Sequence, residues 1–97
     1  MNIAGYRFVD LNDRDELQAM LRILCLDLGL KGTVLLAPEG INFFLAGTSS
    51  SIKAFTQALE KDQRFVDIPL KVSYTDYQPF NRMNVRKKNE IISVGLD

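Results

Sequence analysis

Arg82, Arg86, Lys87 and Lys88 crowd four cations into one short stretch near the end of the chain, with Phe80 close by and no acid until Glu90. Cations at this density can grip an RNA phosphate backbone while a neighbouring ring stacks on a base. Basic residues on a terminal strand also block edge-to-edge aggregation, so both readings stand on the charge run alone. At the other end, Asp10, Asp13 and Asp15 could hold Mg²⁺, or could serve as a helix cap and a favourable partner for the helix dipole. Glu39 and Asn42 are the polar residues of an apolar stretch; they fit either a solvated turn and an outward strand position or a functional role.

The chain has no histidine, which removes the commonest general base, the Ser/His and Cys/His nucleophile arrangements and the commonest metal ligand. Cys25 is the single cysteine, so neither an internal disulfide nor a paired-thiolate metal site can form within one chain. It sits four residues after Leu21, beside an apolar stripe, where a small buried side chain is expected rather than a reactive thiolate. No catalytic residue, metal or cofactor is assigned. Twelve basic residues balance twelve acidic ones, and no apolar run reaches the roughly 18 residues of a membrane span. A soluble cytoplasmic protein is expected, with no membrane partner.

Elements must position these residues, and 97 residues with 46% apolar content suffice for one two-layer core. Tyr6 to Val9 reads as a first strand. Asp13 is expected to cap a helix, with Glu16 reaching back, and Leu17, Met20, Leu21, Leu24 and Leu28 form its apolar stripe up to Gly29. Pro38 and Gly40 make Ala37-Pro38-Glu39-Gly40 a tight turn between strands Val34 to Ala37 and Ile41 to Ala46. Thr48 to Ser51 offer caps for a second helix whose buried face is Ile52, Phe55, Ala58 and Leu59. Leu70, Val72 and Tyr74 alternate with polar residues as in a strand with one covered face.

The order β-α-β-β-α-β predicts an α+β, ferredoxin-like two-layer sandwich: an antiparallel sheet, first and third strands central, both helices on one face. Residues 1–77 carry this core. Residues 78–97 form a C-terminal extension, an extended arm or a hairpin of Asn84 to Lys88 with Ile91 to Val94 turning at Asn89. Phe43 and Phe44 point to opposite faces of their strand, so one covers the helices and the other is left on the open face. The fold also serves acylphosphatases, but their phosphate cradle needs a Gly-rich loop and an Arg before the first helix. The loop here is Asp10-Leu-Asn-Asp13, whose carboxylates repel a phosphate.

Gly32-Thr-Val-Leu-Leu-Ala-Pro-Glu-Gly-Ile-Asn42, Leu45-Ala-Gly47, Gln78-Pro-Phe80 and Met83-Asn-Val-Arg-Lys-Lys-Asn-Glu-Ile-Ile92 together resemble the N-terminal domain of the rhodanese-related tRNA uridine hydroxylase family. The resemblance covers nearly the whole chain and implies an acylphosphatase-like ferredoxin fold preceding a rhodanese domain, in proteins that 5-hydroxylate the wobble uridine of tRNA. Members often carry Asn-Gly-Thr where this chain has Asn42-Phe43-Phe44, which resembles a branch labelled rhodanese-related sulfurtransferase. The family's catalytic cysteine loop lies in the rhodanese domain, which is missing before Asp97, and Cys25 does not replace it. The resemblance therefore implies a non-catalytic domain whose partners are that rhodanese domain and tRNA. On this reading Arg82, Arg86, Lys87 and Lys88 contact RNA, and Glu39, Gly40, Asn42 and Phe44 face the neighbouring domain. The alternative is a purely structural docking or dimerisation module. Small-molecule sensing has no positive signal in the sequence.

Overall fold

The computed structural model describes residues 1–88. The expected turn at Asn89 and the strand Ile91 to Val94 lie outside the described residues. Along the chain run β1 (Asn2–Phe8), α1 (Arg14–Asp27), β2 (Lys31–Ala37), β3 (Gly40–Ala46), α2 (Ser49–Leu59), a 3₁₀ turn (Gln63–Phe65), β4 (Lys71–Ser73) and β5 (Met83–Lys87). The sheet order is β4-β1-β3-β2-β5, with β1 and β3 inside, as the ferredoxin-like plan requires.

The sheet is mixed rather than wholly antiparallel. β1 to β4 pair antiparallel, but β5 lies parallel to β2, with Val34 opposite Val85. Gly32 to Leu36 are therefore paired on both sides, and the expected arm is, over residues 83–87, a fifth strand of the same sheet.

Alternation in the strands divides the side chains cleanly. Ile3, Val34, Leu36, Ile41, Phe43, Leu45 and Val85 share one buried cluster with Leu17, Leu21 and Cys25 of α1 and Ile52, Phe55 and Leu59 of α2. Both helices therefore lie on that face. Phe43 meets Phe55 edge-to-face with ring centroids 5.6 Å apart, an arrangement favoured by the ring quadrupoles.

Several local expectations need correction. The first strand starts earlier than Tyr6 and ends before Val9, because Asn2 to Phe8 all pair with β3. Asp13 is the N-cap residue of α1, yet its side chain bonds no backbone N–H of the helix; Arg64 has taken that carboxylate. Cys25 is fully buried at the centre of the helix face rather than at its edge, while Met20 is half exposed. β4 pairs with β1 only from Asn2 to Ala4, and all its residues are exposed, Val72 to 43%. It is a short edge strand at the rim of the helical layer, so the alternation of Leu70, Val72 and Tyr74 does not mark a covered face.

α2 follows expectation. The Thr48 hydroxyl accepts from the Ser51 N–H at 3.1 Å, and Lys53, Gln57, Glu60 and Lys61 face solvent.

Candidate functional site

The Pro38–Glu39 turn is fastened at its base by the chain that leaves β1. The Val9 N–H donates to the Glu39 carbonyl at 2.8 Å and the Leu11 N–H to the Pro38 carbonyl at 2.9 Å. Pro38 and Glu39 themselves are exposed at the tip. Gly40 has φ +159°, and a Cβ there would stand 2.1 Å from the Arg7 carbonyl oxygen. Glycine is required because β1 runs directly alongside. Asn42, expected outward, does face away from the helices but is only 4% exposed. Phe44, two residues on, is half-buried on the same open face.

The four C-terminal cations do not form one cluster. Arg82 precedes β5, and its carbonyl accepts from the Gly32 N–H at 2.8 Å. Arg86 pairs with Leu35 on the open face, whereas Lys87 pairs with Leu36 and so points to the helical side. There its ammonium bonds the Asp15 carboxylate, which lies in the first turn of α1 and is held below its ordinary pKa by that contact. Lys88 follows the strand, its N–H donating to the Leu36 carbonyl at 2.7 Å. All four side chains are exposed.

Arg64 organises a site that the sequence did not reveal. Its guanidinium donates to both carboxylate oxygens of Asp13 at 2.8 and 3.0 Å and to Asp62 at 2.7 Å, with the Phe65 ring centroid 5.2 Å away. Fork-to-carboxylate bonding holds Asp13 and Asp62 below the usual carboxylate range and raises the Arg64 pKa further. The local pair Asp62-x-Arg64 is visible in sequence, but Asp13 lies 51 residues away. Asp13 and Asp15 are thus each paired with a cation, Asp15 from within the first turn of α1. Among the described residues, no group of three or more Cys, Asp or Glu side chains could hold a metal ion. Burial pushes the Cys25 thiol up to about 12, the opposite of an activated nucleophile.

Three comparisons bear on this arrangement. The sequence profile of the UPF0176 acylphosphatase like domain matches residues 1–91. A tRNA uridine(34) hydroxylase of Thiobacillus denitrificans is 54% identical over 96 residues, covering 99% of this chain and 39% of that protein. One from Cupriavidus pinatubonensis is 55% identical over 94 residues, covering 97% and 33%. The chain thus spans roughly a third of the length of the curated relatives it matches. Among solved structures, an acylphosphatase from Bacillus subtilis superposes with TM-score 0.67 at 13% identity, covering 88% of this chain and 98% of that one. BlrP1 BLUF gives 0.68 at 22%, covering 92% and 65%. These two likenesses establish the fold and nothing of its chemistry.

Proposed function

The chain belongs to the UPF0176 acylphosphatase-like domain family, and from that membership we propose that it is a non-catalytic domain helping a longer protein hold tRNA for wobble-uridine 5-hydroxylation. The observation that carries this reading is the name shared by relatives of about half identity, tRNA uridine(34) hydroxylase. The chemistry of the chain is compatible with it. Its thiol is buried and protonated, it has no histidine, and Asp13 and Asp15 are tied to cations. What it offers a nucleic acid is charge. Arg82, Arg86 and Lys88 are exposed around β5, and Lys87 is shared with Asp15. The reaction itself would belong to a rhodanese domain of the same protein, working in the cytoplasm. In this assignment residues 1–77 carry the ferredoxin-like plan, and the extension 78–97 adds β5 to the same sheet before leading toward that domain.

Labelled tRNA titrated against the chain at two salt concentrations tests the proposal. Affinity should fall steeply with salt, and Arg82→Gln or Lys88→Gln should each flatten the log–log slope by about one. Binding that ignores salt, or no binding even with the following domain attached, overturns it.

A second reading, domain docking, is favoured by the path of the chain. Lys88 leaves β5 hydrogen-bonded to Leu36, beside the end of β2 that leads into the Pro38–Glu39 turn. That end of β2 leads directly to Glu39 and Gly40, while Asn42 and Phe44 lie one strand further in, opposite Leu35 and Thr33. If docking is their sole use, Phe44→Ser in the longer protein loosens the two domains and leaves tRNA affinity intact.

A further inference from the structure

The face of the sheet turned away from the helices carries rings at its centre and cations at its margins. Ala4, Tyr6 and Phe8 of β1 and Phe44 of β3 occupy alternate positions on that face. Tyr6 is 41% and Phe8 55% exposed, with their rings edge-to-face at 5.8 Å. Phe80 reaches the same surface from the loop before β5 and lines a shallow depression with Ala4, Phe44 and Lys71. A second depression beside it is lined by Tyr6, Asn42, Phe44 and Lys71.

Register places Lys31 of β2, Lys71 of β4 and Arg86 of β5 on this face, opposite Ala46, Ala4 and Leu35 respectively. Among the described strands, no open-face position carries a carboxylate. Asp13, Asp15 and Asp62 all lie on the helical side of the molecule, in or beside the helix ends. The strands of the open face thus carry cations alone, whereas the carboxylates of the helical side are paired with Arg64 and Lys87. Lys71 lines both depressions beside the rings, and the core of a protein-docking patch is depleted of Lys, whereas unpaired nucleotides require rings for the bases and cations for the phosphates. One RNA-binding module built on a four-stranded sheet takes up single-stranded RNA by stacking two or three bases on aromatic side chains of its strands. Here β1 and β3 supply Tyr6, Phe8 and Phe44.

We propose that the open face of the sheet is a stacking platform for unpaired RNA bases, with Tyr6 and Phe8 as its exposed rings and Lys31, Lys71 and Arg86 as its phosphate contacts. This rests on the tRNA reading above and deepens it, because it assigns single-stranded nucleotides, not duplex backbone, to the open face, where Arg86 is shared with the phosphate-gripping group. Aromatic faces stack on any base, so the platform supplies affinity without reading sequence.

The test uses the whole chain, a labelled oligouridylate of about ten nucleotides and an RNA duplex of equal length, followed by anisotropy. The single strand should bind more tightly than the duplex. Tyr6→Leu and Phe8→Leu keep an apolar side chain but remove the π face. Each should weaken single-strand binding roughly five- to a hundredfold, leaving duplex binding and the thermal melt unchanged. Lys71→Gln should flatten the salt slope by about 0.7. The chain has no tryptophan, so Tyr6→Trp installs a lone reporter whose fluorescence should be quenched by the oligonucleotide. Equal affinity of parent and ring variants, or a preference for duplex, overturns the platform; salt-sensitive tRNA binding that persists in those variants leaves the phosphate-gripping reading standing. Ring substitutions that abolish self-association in sedimentation while RNA affinity stays at the parent value assign the face to protein contact and likewise overturn it.

Discussion

Gly40 shows how much a single position can demand. The residue closes a turn that Pro38 starts, and it also lets β1 pass within contact of β3: an added Cβ would meet the Arg7 carbonyl oxygen at 2.1 Å. That neighbour is backbone held in the β1–β3 ladder, so it cannot swing away. Gly40→Ala should therefore cost about 1–3 kcal/mol, read as a lower urea midpoint with the slope unchanged. A midpoint equal to that of the parent would show that β1 gives way at no cost. The turn was legible because Pro and Gly act through their own φ angles, whereas the burial of Asn42 was not. Alternation correctly put Asn42 on the face away from the helices, but whether a face is covered depends on segments remote in sequence. The thiol of Cys25 was legible for the opposite reason. It sits one helical turn from Leu21, and a residue so placed shares that neighbour's environment.

Among elements, the informative contrast is between α2 and α1. α2 is capped as its sequence says, by Thr48. α1 begins at Asp13, but the carboxylate that should serve the helix is held by Arg64 from the 3₁₀ turn after α2. A bidentate guanidinium contact outcompetes a single N–H, and it ties the start of one helix to the end of the other. Composition and spacing give no access to a pair 51 residues apart, which is why a capping box was the natural expectation. The contact has a pH signature. Asp13 and Asp62 have pKa values lowered below 3.8 by Arg64, so their contribution is complete above that pH and is lost as pH falls through the lowered values. Arg64→Gln removes the cause. The variant should melt earlier than the parent at neutral pH, and the gap should close as the pH is taken below about 3.8. A gap that stays constant through the acid range would show that Arg64 acts through packing on Phe65 and not through the carboxylates.

At the scale of the molecule, the βαββαβ plan was readable because each helix and the central hairpin carry their own periodic signal, and two amphipathic helices need one sheet to cover. The two edge strands were harder. β4 is three residues long and exposed, and β5 pairs parallel with β2 across a separation in sequence that no local pattern encodes. Yet β5 does more than extend the sheet. Val85 is 6% exposed and belongs to the same buried cluster as the α1 leucines, and the Gln18 amide of α1 donates to the Val85 carbonyl at 2.8 Å. The extension after Tyr77 therefore closes the core of the part that precedes it. Ending the chain at Tyr77 removes a buried Val, worth about 1.5–3 kcal/mol, and strips the pairing partner from five residues of β2 between Gly32 and Leu36. An unpaired, apolar β2 edge is a template for other chains. The shortened chain should melt several degrees below the parent and scatter light on standing, and restoring residues up to Lys88 should reverse both effects. If residues 1–77 melt and stay dispersed like the whole chain, β5 is an attachment to a finished domain rather than the strand that completes it.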